Sequence, residues 1–231
     1  MKNTIYLIIS ILVLSCTKKT ESKILQKPKE KSLVVVDTLD FLSDSLKFGK
    51  KKKNRIDIFK IGLQDSTIIK VFLFEKNKKT WQLKDSLVLN GTRIEDLKTE
   101  IKDFNNDNFN DVIFTSGMAG RGGNVVQTLI LYSPKDKALK WIKNSESYPN
   151  LMYNKKLDCV DALILTGGET TYFLKIKNDS LKEFANVDHR DGNIIAEILD
   201  ENGKCKEIKR IKNQSQDMKR FINYNPIEER E

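Results

Sequence analysis

The chain has 231 residues, enough for one domain with a full hydrophobic core, and a formal charge of +9 from 41 lysines and arginines against 32 acidic residues. The lysines are scattered through nearly every segment with no stripe of interleaved aromatics. That pattern argues against nucleic acid as a partner and for a solvated basic surface or an acidic partner. One histidine and three cysteines, without zinc-ligand spacing, leave little material for acid–base or nucleophilic catalysis.

Lys2 precedes an apolar run at residues 5–14, which has signal-peptide length and is too short to span a bilayer comfortably. The run closes on Val13-Leu14-Ser15-Cys16, which resembles the lipobox of bacterial lipoproteins. The resemblance implies a signal peptide over 1–15, cleavage before Cys16 and lipidation of its thiol, so that the lipid holds the protein on a membrane. An uncleaved anchor or an ordinary secretory signal are the alternatives. Residues 16–31 are polar and lysine-rich, as in a flexible tether. No acidic residue follows Cys16 until Glu21, which resembles neither inner-membrane retention nor surface-export signals and points to an outer-membrane anchor facing the periplasm. Cys159 and Cys205 remain; an oxidising exterior allows them to pair, and two isolated core thiols are the other reading.

Residues 32–212 read as a mainly β domain. Apolar runs of about five to nine residues alternate with polar turns, as in antiparallel hairpins. Residues 33–36 are a short β-branched run, and 41–48 are ambiguous. Residues 49–54 form a turn with four consecutive lysines, read as solvated. Residues 55–63 alternate, with Ile56, Ile58 and Lys60 on one face and Phe59 and Ile61 on the other. Residues 67–74 and 81–89 form a hairpin around 77–79, and Asn90-Gly91 is a turn signal. In 93–101, Ile94, Leu97 and Ile101 are spaced as in a helical turn; an irregular strand fits as well.

Then comes Asp103-Phe104-Asn105-Asn106-Asp107-Asn108-Phe109-Asn110-Asp111. Calcium takes about six to eight oxygen ligands. Alternate residues of a tight loop point inward together, so Asp103, Asn105 and Asp107, the carbonyl of Phe109 and a closing Asp111 make a ligand set. The three carboxylates repel one another unless a cation neutralises them. Phe114 stands where an EF-hand needs Glu, and Asn108 stands at the sixth position, where a left-handed backbone is wanted. The alternative is a metal-free turn capped by its own Asn and Asp side chains.

Residues 111–116 continue as a strand. Gly117, Gly120, Gly122 and Gly123 then crowd around Arg121 with no Lys-Ser/Thr behind them, so this is not a phosphate-binding Walker loop. The segment is a tight or mobile turn, or a loop that contacts a partner through Arg121. Residues 125–132 and 139–142 are strands around a turn with Pro134, and 159–165 is an apolar run ended by Thr166-Gly167-Gly168. Two further hairpins turn at 177–179 and at Glu201-Asn202-Gly203. Residues 213–231 are a charged tail in which Phe221, Ile222 and Tyr224 either dock as a strand or fray. Units of apolar strand, polar turn and aromatic return strand recur about 40–60 residues apart, a spacing known from propeller blades. The expected fold is therefore antiparallel hairpins in a propeller-like or sandwich arrangement.

Residues 101–112 resemble the calcium loop of FG-GAP/VCBS repeats, which build β-propellers and often hold calcium. Roughly residues 95–190 are also similar to small periplasmic lipoproteins related to the inhibitors of invertebrate-type lysozyme, a group that includes inhibitors and immunity proteins acting on peptidoglycan hydrolases. The resemblance implies a calcium-bearing β fold with a protein partner in the cell envelope. Two departures stand out. Asn108 replaces the loop glycine, and Ser116-Gly117-Met118-Ala119 lacks the Tyr of the inhibitors' Ser-Gly-x-Tyr loop.

Three function classes follow. The first is a non-catalytic binder, an inhibitor or immunity protein being one version, although a basic inhibitor suits an acidic hydrolase or an anionic polymer better than a basic lysozyme. The second is a structural envelope lipoprotein that calcium only stabilises. The third is a carboxylate-dependent hydrolase, for which no carboxylate pair stands out. His189, in Asp188-His189-Arg190-Asp191-Gly192, reads as part of a polar turn rather than a catalytic relay.

Overall fold

The computed structural model describes residues 37–93, 96–215 and 217–231. The segments expected to form a signal peptide and a tether, with Cys16, the run 33–36 and Ile94, lie outside them. Three antiparallel meanders follow one another along the chain. The first sheet joins β1 (Asp37–Asp44), β2 (Asn54–Gly62), β3 (Thr67–Asn77) and β4 (Thr80–Gly91) in spatial order. The second joins β5 (Thr99–Lys102), β6 (Asp111–Ala119), β7 (Asn124–Ser133) and β8 (Ala138–Trp141). The third has six strands, β9 (Met152–Asn154), β10 (Cys159–Leu165), β11 (Glu169–Lys177), β12 (Ser180–Arg190), β13 (Asn193–Leu199) and β14 (Cys205–Lys212). A final hairpin of β15 (Phe221–Tyr224) and β16 (Ile227–Glu229) closes the chain. Each sheet is open at both edges, so none closes into a barrel. The result is the mainly β, antiparallel fold that the strand pattern predicts, with sheets layered as in a sandwich.

Period-two alternation decides which side chains fill the layers. Ile56 and Ile58 of β2, with Ile69, Val71 and Leu73 of β3, face the second sheet and meet Val112, Phe114, Ile130 and Tyr132 in the first core. Lys60 follows Ile58 on that buried side. Val112-Ile113-Phe114 reads as an unbroken apolar run because β6 is covered on both faces. Val112 and Phe114 enter the first core, whereas Ile113 enters a second one with Leu129, Leu131, Val160, Ala162 and Leu174 between the second and third sheets. Each such side chain contributes about 1.5–3 kcal/mol on full burial. A third core packs Phe173, Ala185, Val187 and Ile194 under Phe221 of the terminal hairpin.

The charged tail therefore does not fray. Phe221 is fully buried, and the buried Asp161 of β10 pairs with both Arg220 and Arg230. Residues 96–101 hold no helical turn either. Leu97 enters the first core, and Ile101 packs beside it from β5, which pairs with β6. Strand pairing overrides the helical spacing there.

Candidate functional site

The two loops singled out in the sequence flank one strand. Residues 103–110 lead into β6 and residues 120–123 leave it, with about 27 Å of strand between them. They do not share an edge of the molecule.

The acidic loop winds around Asp103. Its Oδ1 accepts the N–H groups of Asn105 and Asp107 at 3.2 and 3.3 Å, and its Oδ2 accepts that of Asn108 at 2.8 Å. Asn108 has φ +70°, the left-handed backbone expected of that position, and Asn106 has φ +59°. Asn105 Nδ2 donates to Asp107 Oδ2 at 3.0 Å, while Asp107 Oδ1 accepts the N–H of Phe109 at 2.8 Å. Two aromatic rings pin the loop. Phe104 is buried in the second core, and Phe109 packs on Tyr132 at 5.8 Å beside the first. On its outer side Asn110 bridges to Gly49, so the lysine turn borders the loop across a cleft of about 390 Å³ that includes Lys50, Lys51 and Asp103.

Asp111 stands apart from the other three side chains. It is fully buried, and its two oxygens accept the backbone N–H groups of Phe104 and Tyr132, both at 2.9 Å. Burial pushes its carboxyl up to about 8; the two N–H groups oppose the rise, and the charges of Asp107 and Asp103 add to it. Among the described residues, no group of three or more His, Cys, Asp or Glu side chains is arranged to hold a metal ion. Asp103, Asn105 and Asp107 are brought together around the left-handed sixth position, with their side-chain oxygens accepting the loop's own N–H groups. Asp111, as placed, joins the loop to β7 instead of completing a ligand ring.

The glycine tip is built differently. A register shift interrupts the β6–β7 pairing between Thr115 and Gly117. Gly120, Arg121 and Gly122 all have positive φ, of 57°, 56° and 92°. At Gly120 a Cβ would lie 2.6 Å from Asn124 Nδ2. Asn124 donates to the carbonyl of Leu165 and accepts its N–H, both at 2.9 Å. Asn150 donates to the carbonyls of Gly123 and Leu163 and accepts the N–H of Val125. The base of the tip is thus fastened to β10, while Met118 is 45% exposed and Arg121 projects into solvent.

His189 is only 6% exposed, with Nδ1 2.9 Å from Glu169 Oε2. It belongs to β12 and not to a turn. Cys159 is buried, and burial pushes its thiol up to about 12. Cys205 is exposed, so only one of the two thiols lies in the core, and the two are not bonded.

Sequence reading missed a cleft of about 400 Å³ on the third sheet, lined by Tyr172, Glu183, Asn186, Asp188 and Glu197 among others. The Asn186 amide donates to Glu183 at 3.1 Å and to Glu197 at 3.3 Å, and burial raises the Glu183 carboxyl. The cleft's residues lie on the face opposite Ala185, Val187, Ile194 and Ala196, where alternation expects solvent, so nothing in the pattern marks a cleft there.

Comparison with family models gives no match, and comparison with curated proteins gives none. Among solved structures, a Xanthomonas protein related to a type IV secretion system is similar over 76% of this chain and 99% of its own, with a TM-score of 0.47 and 12% identity. That likeness is too distant to assign a function.

Proposed function

We propose that the protein is a non-catalytic binding protein of the bacterial cell envelope, lipid-anchored through Cys16, whose contact element is the tip at residues 117–123. One observation carries this reading. The tip is fixed at its base by Asn124 and Asn150, yet it presents Met118 and Arg121 to solvent. A loop held in shape before binding loses little conformational entropy on contact. Arg121 occupies left-handed backbone at a cost of about 1 kcal/mol. The poor state of the nucleophile candidates points the same way: Cys159 is buried and its thiol raised, and His189 is enclosed against Glu169.

The partner class follows from the sequence resemblance: a peptidoglycan hydrolase. Calcium belongs to this reading as a stabiliser of the acidic loop, held by Asp103, Asn105 and Asp107, where it would neutralise charge. The test is hydrolysis of purified peptidoglycan by muramidases, amidases and endopeptidases with the protein in excess. Inhibition of one class that the double variant Met118→Asp, Arg121→Glu abolishes, with unchanged unfolding, is the expected result. Unaltered activity of all three classes would leave an envelope scaffold.

A further inference from the structure

We propose that the lysine-bearing end of the first two sheets is a docking surface for an anionic phospholipid bilayer. At this end the β1–β2, β3–β4 and β7–β8 turns come together. The carbonyl of Lys53 accepts the N–H of Lys76, and Lys137 reaches Glu75 at 2.9 Å. Four consecutive lysines at 50–53, then Lys78, Lys79, Lys135 and Lys137, occupy these turns; Asp136 sits among them, and the acidic loop with Asp103 and Asp107 borders the 50–53 turn at the same end, so the lysines outnumber the carboxylates without excluding them. Of these eight lysines, only Lys137 makes an ion pair among the described residues. The opposite end of the same sheets is mixed: among the described residues its connections carry Asp65 and Asp96 with Arg93, Lys98 and Arg121, so one lysine stands there against eight. A charge of +9 spread evenly would not give this contrast.

Two further features favour a bilayer over a soluble polyanion. Leu46, in the β1–β2 connection, is 64% exposed among the lysines. Trp81 stands at the start of β4 with Arg55 and Lys76 against its ring, at 5.3 and 5.6 Å. Apolar and aromatic side chains set among lysines suit the headgroup boundary of a membrane. The charges are single ammonium groups on three separate hairpin tips, and the cleft that Lys50 and Lys51 border is shared with Asp103, whose carboxylate opposes an anion there. Lys52, Lys78 and Lys137 have φ of 61°, 54° and 52°, backbone that favours Gly or Asn, yet each of the three turns places a lysine there. A broad array of point charges matches a sheet of lipid phosphates.

The experiment is co-sedimentation of the full chain with phosphatidylcholine vesicles containing none or about a third phosphatidylglycerol. Binding to the neutral vesicles measures whatever the apolar N-terminal segment contributes. Two triple variants of equal charge change are compared: K51E/K78E/K135E at the tips, and K206E/K209E/K212E on β14. The tip triple is expected to lose at least about tenfold of the binding that depends on anionic lipid, and the β14 triple less than about threefold. Leu46→Ser is expected to weaken vesicle binding and to leave binding to inorganic polyphosphate unchanged. Equal losses from the two triples, or binding indifferent to phosphatidylglycerol, would overturn the proposal. So would polyphosphate binding as tight as vesicle binding with no effect of Leu46→Ser, which would assign the surface to a soluble polyanion. Should the glutamate tip triple fail to fold, K51Q/K78Q/K135Q reads the same loss of lysine charge.

Discussion

The loop before β6 and the tip after it are held in shape by opposite means. Residues 103–110 are closed from within: Asp103, Asn105 and Asp107 accept the loop's own N–H groups, and Asp111 ties it to β7. The tip is closed from outside, by Asn124 and Asn150 reaching across to β10. Closure from within consumes the side chains of the loop and gathers negative charge. Closure from outside leaves the tip's own side chains free. The first design suits stabilisation by a cation and the second suits contact with a partner. The lysine turn bridged to the acidic loop through Gly49 supplies positive charge nearby without entering it.

The sharpest way to break this comparison is Asp111→Ala. It strips the acceptors from two backbone N–H groups in the interior, those of Phe104 and Tyr132. Orphaned buried donors cost about 1–3 kcal/mol each, so a loss of about 3–5 kcal/mol is expected in denaturant unfolding. A loss under about 1 kcal/mol would mean that the loop is not held through this residue. The wild-type carboxyl also has a direction in pH. Its folded value of about 8 lies above the ordinary 3.8, so the native state binds more protons across that window. Its contribution to stability is complete below about 4 and is lost as the pH rises through 8.

Much of this architecture was legible because it is local. Alternation put Ile56 and Ile58 on one face of β2 and Phe59 on the other, and the run Val112-Ile113-Phe114 marked a strand leaving the acidic loop; that this strand is covered on both faces is visible only in the packing. The left-handed site at Asn108 was readable from loop spacing. What escaped depends on contacts distant in sequence. Asn124 lies 41 residues from its partner Leu165, and Asp161 lies 59 and 69 residues from Arg220 and Arg230. A single asparagine or aspartate carries no mark of such a partner, so the fastening of the tip and the docking of the tail stayed hidden. Asp111 shows the same limit: spacing points it into the loop, and nothing in the sequence marks Tyr132, 21 residues on, as the residue whose N–H it accepts.

Calcium sharpens the comparison with an effect of comparable size. At about a thousandfold excess over the dissociation constant, one bound ion raises stability by about 4 kcal/mol. The gain should appear as slowed amide exchange in residues 103–110, with residues 117–123 unchanged, and should vanish in chelator and in Asp107→Ala. Slowed exchange at both ends would erase the distinction between the loops. Identical unfolding with calcium and with chelator would leave the acidic loop as a turn closed by its own side chains.

The smallest effect belongs to the tip. Asn124→Ala removes one donated and one accepted hydrogen bond with Leu165 and should cost about 1–2 kcal/mol. The more telling readout is where the cost falls. Residues 118–123 should lose amide protection while the acidic loop keeps its own, because nothing in 103–110 depends on Asn124. In the proposed inhibition assay, any inhibition that depends on the tip should weaken by more than the stability change alone would give, since a loosened tip must be reordered on contact. Lost protection at both ends of β6 would show that the strand transmits the change and that the two loops form one unit. Full protection of the tip in the variant would transfer its fastening to Asn150, which reaches Gly123 and Leu163 from the other side of the hairpin base.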